Sequence, residues 1–188
     1  MNTPAHAMLG LLVLGRRQPG HQKSAAIVFG GVLPDLVLIG FYAWHLLLGT
    51  PESQIWSVEY YRPEWQGWFD VFNSIPLVLI AMLIAWRYQK SLWLVFLASL
   101  LLHALTDLPL HNDDAHRHFF PFSDWRFESP VSYWDPAHHG EWASLAELIC
   151  MLAAACFLYL KHPPLRAWTV GILSVYLAYL GYAFLVWM

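Results

Sequence analysis

The chain has 188 residues, of which 58% are hydrophobic and only 12% are charged. A soluble domain usually carries about a quarter charged residues, so this composition argues against a soluble globular protein. The net charge of −3 is small, and we expect no nucleic-acid partner. The apolar residues are collected into long runs, which is typical of helices that span a bilayer. The composition therefore predicts an all-α, polytopic transmembrane bundle.

Six apolar segments follow one another along the chain. They cover residues 5–15, 24–48, 68–88, 91–110, 142–160 and 167–187. The first is too short to span a bilayer, so it predicts a half-helix or a tilted, buried first helix, whereas the other five are long enough. We expect Pro34-Asp35 to interrupt the second segment. The sequence thus predicts one transmembrane domain over 1–188, with five full spans plus a short N-terminal apolar helix.

Two long connections, 49–67 and 111–141, separate some of these segments. The second is too long for a simple connector and is rich in His, Asp, Trp and Phe. We therefore expect 111–141 to form an ordered outer loop that caps one end of the bundle.

The basic residues predict the orientation of the chain. Seven of the ten Lys and Arg residues lie in or beside short connections: Arg16, Arg17, Lys23, Arg87, Lys90, Lys161 and Arg166. Basic residues favour the cytoplasmic side of a membrane. We expect a multi-pass protein of the inner (plasma) membrane, with both long connections on the non-cytoplasmic side.

The pair His103 and Asp107 is the most informative feature of the sequence. Four positions apart at the outer end of an apolar helix, the two side chains project from one face. Ionisable residues within a membrane usually face the bundle interior and find partners there. A neutral imidazole and a carboxylate one turn apart suit a divalent metal. The alternative is a hydrogen-bonded pair that joins two helices.

Three further residues lie near the same predicted depth. His6 opens the first apolar segment, Asp70 opens the third, and Asp35 follows a proline inside the second. A proline break in a membrane helix is tolerated where it lines a cavity. These side chains are therefore expected to converge with His103 and Asp107. The alternative for His6 and Asp70 is that they are solvated helix starts, with Asp70 as an N-cap.

The outer loop contributes many polar groups that allow more than one role. His116 and His118 can chelate together only if the backbone between them is extended, since positions i and i+2 diverge on a helix. Arg117 and Arg126 are the only basic residues of this loop. They suit bidentate contact with a phosphate or carboxylate, or pairing with the loop carboxylates of Asp113, Asp114, Asp124 or Glu128.

Several short motifs together carry a family resemblance. In order they are Thr3-Pro4-Ala5-His6, Gly31-Val32-Leu33-Pro34-Asp35, Leu102-His103-x-x-x-Asp107 and Phe120-Pro121-Phe122-Ser123. Their order and spacing resemble the YdjM-like family of small, membrane-bound metal-dependent hydrolases, over most of the chain up to about residue 130. The resemblance implies a divalent metal, with zinc as the expected ion, bound by His6, Asp35, His103 and Asp107.

The chain departs from the family pattern in one element. Where the family has His-Arg-Gly-x-Thr-His-Ser, the corresponding stretch 68–74 lacks both histidines and offers Asp70 and Asn73. Either Asp70 substitutes for the missing ligands, or the chain is a divergent member without catalysis.

The sequence therefore predicts a metal-dependent hydrolase at the outer face of the membrane. Asp107 or Asp70 is the expected catalytic base, and a lipid-linked or amphiphilic ester or phosphoester is the expected substrate. The main alternative is a non-catalytic accessory subunit of a larger membrane complex, with structural His–Asp pairs. A proton or ion pathway is a third possibility, although the lack of an internal repeat disfavours a transporter.

Overall fold

A computed structural model of the chain describes residues 1–17 and 20–187. In these ranges 77% of the protein is helical and there are no strands, which confirms the all-α prediction. The helices are α1 (Thr3–Val13), α2 (His21–Leu47), α3 (Glu52–Gln54), α4 (Pro63–Asn73), α5 (Ile75–Arg87), α6 (Ser91–Asp107), α7 (Gly140–Lys161) and α8 (Arg166–Trp187). A π-helical turn, Ile55–Glu59, follows α3, and the connection from α6 to α7 contains only short 3₁₀ turns.

Three helical stretches of the described chain are long and apolar enough to cross a membrane. They are His21–Leu47, Ser91–Leu110 and Gly140–Lys161, and α4 and α5 together pass the same test as a bent pair. The protein is therefore an apolar helical bundle suited to a membrane. The finer count of five full spans stays a prediction.

The predicted segment 68–88 is not one continuous helix, because the chain breaks at Ser74 into α4 and α5, which are bent by 47° but together remain apolar enough to form one broken span. Ser74 is an N-cap whose hydroxyl accepts a hydrogen bond from the Leu77 N–H at 3.2 Å. Pro76 follows in the first turn of α5, where its missing N–H is tolerated, whereas in one continuous helix it would remove a backbone hydrogen bond. The amide of Ile75 instead donates to the carbonyl of His118 at 2.9 Å.

The prediction that Pro34-Asp35 interrupts the second segment is wrong. Helix α2 runs without a break from His21 to Leu47 and carries Pro34 inside it. Neighbouring helices can compensate the backbone groups that a proline frees in a membrane helix. Here α6 packs closely on α2 over the preceding turns.

Helices α2 and α6 run parallel in close contact. The Ser99 hydroxyl donates to the Ile27 carbonyl at 2.6 Å, and His103 Nδ1 lies 2.7 Å from the Gly31 carbonyl oxygen, four residues further along each helix. Glycine makes this approach possible, because a Cβ at Gly30 would lie 2.2 Å from the Phe96 carbonyl oxygen. The register of the two helices is therefore set by direct backbone contact.

The short basic turns lie together at one end of the bundle. Arg16, after α1, sits over the ring of Phe157 near the end of α7, with 5.6 Å to the ring centre. A Cβ on neighbouring Gly15 would lie 3.4 Å from the Leu165 side chain, in the turn before α8. Because α2 and α6 are parallel, the turn before α6 lies at this same end. The opposite end carries the N-terminus of α1, the C-terminus of α6 and the long loop.

Helix α1 is buried inside the bundle, as the sequence predicted for a first helix too short to span. Its Met8 and Leu11 are almost completely inaccessible and pack with Ile27 and Leu158. At its N-terminal end, the backbone nitrogen and side-chain amide of Asn2 both donate to the Glu147 carboxylate, at 2.9 and 2.6 Å. This burial brings the histidine of α1 into the interior.

Candidate metal centre

His103 and Asp107 occupy the last turns of α6 and face the bundle interior, as the i, i+4 spacing predicted. Both residues are only 2% exposed. Nε2 of His103 lies 3.0 Å from Oδ2 of Asp107. The pair is therefore removed from solvent, where a carboxylate needs a compensating partner.

His6 reaches the same place from α1. Its ring stacks on that of His103 with 3.7 Å between ring centres, and its Nε2 lies 3.0 Å from Oδ1 of Asp107. The two oxygens of one carboxylate thus face one nitrogen from each of two buried imidazoles. His6 is not a solvated helix start.

Asp35 completes the group from α2. Its Oδ1 lies 3.9 Å from Nε2 of His103, and ligand-type atoms of His6, Asp35 and His103 all lie within 4.8 Å of one another. The Asp35 side chain is 19% exposed, so it forms the more open side of the group. Three helices that are distant in sequence therefore bring three metal-ligating residue types together.

Hydrogen bonding determines which nitrogen of His103 is free. Nδ1 lies 2.7 Å from the Gly31 carbonyl oxygen, which can only accept, so Nδ1 carries the proton. Nε2 then points towards Asp107 and Asp35. Histidines that ligate metals commonly donate their other ring N–H in this way, which fixes the tautomer and the ring orientation.

Two buried atoms of the group make no hydrogen bond: Oδ2 of Asp35, and Nε2 of His6, which lies 3.0 Å from Oδ1 of Asp107 but without hydrogen-bonding geometry. Buried polar atoms are normally satisfied, and an orphan costs about 1–3 kcal/mol. Ligand atoms bound to one tetrahedral zinc at about 2.0–2.2 Å lie about 3.3–3.6 Å apart. The spacings of 3.0 and 3.9 Å lie around that range. The residues present therefore fit a divalent cation.

Asp107 has two further neighbours. The nitrogen of Met1 lies 2.7 Å from Oδ1, and Nε2 of His111 lies 3.5 Å from Oδ2. His111 belongs to the outer loop, so the carboxylate lies between the bundle group and the loop.

Asp70, the other predicted catalytic residue, lies outside this group and inside α4, not at the start of a span. Its carboxylate is completely buried. It accepts the Arg117 backbone N–H at 2.8 Å and Arg117 Nε at 2.5 Å. An arginine keeps its proton and offers no lone pair. The position of Asp70 therefore fits an anchor for the outer loop and not the predicted base.

The partners of the loop arginines were only partly predicted. Arg117 does pair with Asp124, at 2.6 Å, but its buried partner is Asp70. Arg126 donates to the Gln66 side chain at 3.1 Å and to the Ala115 carbonyl. No basic residue is adjacent to Asp70 in the sequence. This could have indicated that a buried Asp70 pairs with an arginine from a distant segment.

The comparisons with known proteins do not extend these observations. No protein-family model matches the chain, and neither a curated protein nor a solved structure matches it. The resemblance to the YdjM-like family therefore stays a prediction based on short motifs.

Proposed function

We propose that the protein is a membrane-bound, metal-dependent hydrolase whose site is formed by His6, Asp35, His103 and Asp107. The observation that carries the proposal is the convergence of His6, Asp35 and His103 from α1, α2 and α6, with Asp107 3.0 Å from both histidines and with two buried ligand atoms that make no hydrogen bond. A structural pair would satisfy its atoms within the protein, as Asp70 and Arg117 do.

The residues have distinct parts in this proposal. His103, oriented by the Gly31 carbonyl, presents Nε2 to the ion, and His6 presents its own Nε2 from the stacked ring. Asp107 contacts both histidines and is either a ligand or the base. When bound, a divalent ion lowers the pKa of its water towards about 7, so hydroxide is supplied at neutral pH. A ligand set of imidazoles and carboxylates suits zinc.

The proposed substrate class follows from the position of the site. The group lies where α6 ends, under a loop that exposes Phe122 and Trp125, with Trp142 exposed at the start of α7. Aromatic rings of this kind favour the headgroup region of a bilayer. A lipid-linked or amphiphilic ester or phosphoester places its polar head at that depth.

The proposed sidedness is that the basic turns are cytoplasmic and the site is on the outer face of the inner membrane. A reporter fused after Lys90 should then report the cytoplasm, and one fused after Asp114 should report the outside. The basic turns share one end of the bundle and the loop lies at the other, so the two fusions must give opposite answers. Reversed answers for both would place the site on the cytoplasmic side.

Asp107→Asn tests the metal site itself. The amide keeps the shape and part of the hydrogen bonding but removes the negative charge between His6 and His103. Loss of a residue that only hydrogen-bonds to a metal ligand typically lowers metal affinity about 10–100-fold. We expect Asp107→Asn to be folded and to lose more zinc affinity than that. Zinc content after dialysis and hydrolysis of long-chain model esters and phosphoesters are measured together. Asp113→Asn, an exposed loop carboxylate, is the matched control.

The opposite result favours the accessory-subunit alternative. If Asp107→Asn keeps its zinc content and its function at equal expression, the His–Asp contacts are interhelical hydrogen bonds. Such bonds contribute on average only about 0.6 kcal/mol in membrane proteins. A thermal-unfolding measurement on both variants separates loss of metal from loss of fold.

A further inference from the structure

The loop segment just beyond α6 contains three histidines that are nearly as buried as those of the bundle. His111, His116 and His118 are 7%, 9% and 1% exposed. A loop histidine is ordinarily solvated, and burying an imidazole is costly unless both ring nitrogens find partners. The segment therefore has more buried nitrogen than a simple connection needs.

In two of these histidines one nitrogen is engaged and the other is free. Nδ1 of His111 lies 2.7 Å from Oδ2 of Asp114, and Nδ1 of His118 lies 3.1 Å from the His116 carbonyl oxygen. In both residues Nε2 is buried and has no hydrogen-bond partner. A carboxylate or a backbone carbonyl on Nδ1 is the usual outer-shell partner of a metal-bound histidine. Nδ1 of His116 is likewise buried without a partner.

The rings of His111, His116 and His118 neighbour one another in this order, and His111 lies next to Asp107. The ring centres of His111 and His116 are 5.2 Å apart, and those of His116 and His118 are 6.1 Å apart. Two imidazoles bound to one tetrahedral zinc at about 2.0–2.1 Å place their ring centres about 5 Å apart. The free Nε2 of His111 lies 3.5 Å from Oδ2 of Asp107.

We infer that His111, His116 and His118 form a second metal site, and that Asp107 bridges it to the first. The bridging by Asp107 rests on the function proposed above, whereas the histidine site does not. Oδ1 of Asp107 faces His6, and Oδ2 lies near both His103 and His111, which is the placement of a carboxylate shared by two ions. Two metal ions about 3.5–4 Å apart are common in the active sites of hydrolytic enzymes.

The charges around His111 suit a cation. The Asp114 carboxylate lies 2.7 Å from Nδ1 of His111, and the Asp107 carboxylate lies 3.5 Å from its Nε2. These two carboxylates favour positive charge at this end of the loop.

The test counts ions in the purified full-length chain. The protein in detergent is loaded with Mn²⁺ or Zn²⁺, freed of excess ion and analysed for metal content. We expect about two ions per chain in the parent protein and about one in His118→Gln, in His116→Gln and in His103→Gln. His139→Asn, at an exposed loop histidine with left-handed backbone that asparagine tolerates, should keep both ions. Electron paramagnetic resonance of the Mn²⁺ form should show a spin-coupled pair in the parent protein and in His139→Asn, and in none of the other three variants.

The outcomes separate the two sites. One ion that is lost in His103→Gln and kept in both loop variants overturns the second site and leaves the proposed function standing. One ion that is lost in the loop variants and kept in His103→Gln supports the second site and overturns the first. Two ions without spin coupling overturn the bridging role of Asp107, and no bound ion overturns both sites. Thermal unfolding without metal shows which variants are folded, and the two loop substitutions give the second site independent tests.

Discussion

Asp70 and Asp107 are both buried carboxylates at the same end of the bundle, but different partners surround them. Asp70, in α4, receives a backbone N–H and a guanidinium N–H from Arg117, so its charge is matched within the protein. Asp107, in α6, accepts a hydrogen bond from the Met1 nitrogen at 2.7 Å and also faces ring nitrogens of His6, His103 and His111, two of which make no hydrogen bond. Both carboxylates are inaccessible, so burial alone does not distinguish their roles.

The difference lies in what each partner can do. Arginine stays protonated and cannot bind a metal, so an arginine–carboxylate pair ends as a structural contact. Imidazole can lose its proton and offer a lone pair to an ion. The imidazoles beside Asp107 can therefore bind a metal, whereas the guanidinium beside Asp70 cannot.

Arg117→Met tests the anchoring role of Asp70 and has the largest expected effect on stability. Removing one partner of a buried ion pair leaves the other charge uncompensated, which typically costs about 3–5 kcal/mol. Arg117 makes one backbone and one side-chain contact to Asp70, and only the backbone contact remains in Arg117→Met. We therefore expect the free energy of unfolding to fall by about 3 kcal/mol. Denaturant unfolding in detergent measures it, and the metal content should not change.

The control for this prediction is Asp70→Asn combined with Arg117→Met. Neutralising both partners should recover much of the stability, since replacing a buried pair is often close to neutral. A double variant as unstable as Arg117→Met alone would mean that Arg117 acts through contacts other than Asp70, such as its stacking 5.0 Å from the centre of the Phe120 ring.

Asp114→Asn tests the other side of the comparison with a smaller effect. Asp114 accepts from Nδ1 of His111 and from Trp134 Nε1, at 2.7 and 3.1 Å, so it orients His111 towards Asp107. Loss of an outer-shell carboxylate typically lowers metal affinity about 10–100-fold. We expect the affinity for the ion at His111 to fall by this factor and the affinity of the other site to stay the same. Competition with a chelator measures both affinities. If stability falls while affinity is unchanged, Asp114 is an anchor like Asp70.

Ser74→Ala is expected to have the smallest effect and to act only on the anchored side. The Ser74 hydroxyl caps α5 and also donates to the Phe120 carbonyl of the loop. Loss of an N-cap costs about 0.5–2 kcal/mol. Thermal unfolding should report a loss of about 1 kcal/mol, with metal content and affinity as in the parent protein. A loss of bound metal would show that the loop anchor and the metal centre are one unit.

Much of the helical layout followed from local signals. The apolar runs and the basic turns predicted α2, α6, α7 and α8 to within a few residues. The i, i+4 spacing of His103 and Asp107 predicted their shared face, and the convergence with His6 and Asp35 followed from matching depths. These predictions held because each depends on helix periodicity or on the bilayer, which act residue by residue.

Other features depended on contacts between distant segments. The pairing of Asp70 with Arg117 joins residues 47 positions apart through a loop that has no periodicity. The burial of His116 and His118 depends on the same loop folding back. The break at Ser74 had a local signal in Ser74-Ile75-Pro76, but the hydrophobicity of 68–88 concealed it. Pro34 gave the opposite error, because α6 packs against the helix that the proline was expected to break.

The close approach of α2 and α6 has a consequence for the site that lies beyond it. Asp35 lies on α2 and His103 on α6. One turn before Asp35, Gly30 allows the two backbones to approach, and Gly31 faces the His6 backbone of α1. The distance between the Asp35 and His103 side chains therefore depends on these glycines, which carry a hydrogen atom where other residues carry a Cβ. The glycines therefore affect the candidate site in two ways: a Cβ at Gly30 would push α6 away from α2, and the Gly31 carbonyl orients the His103 ring.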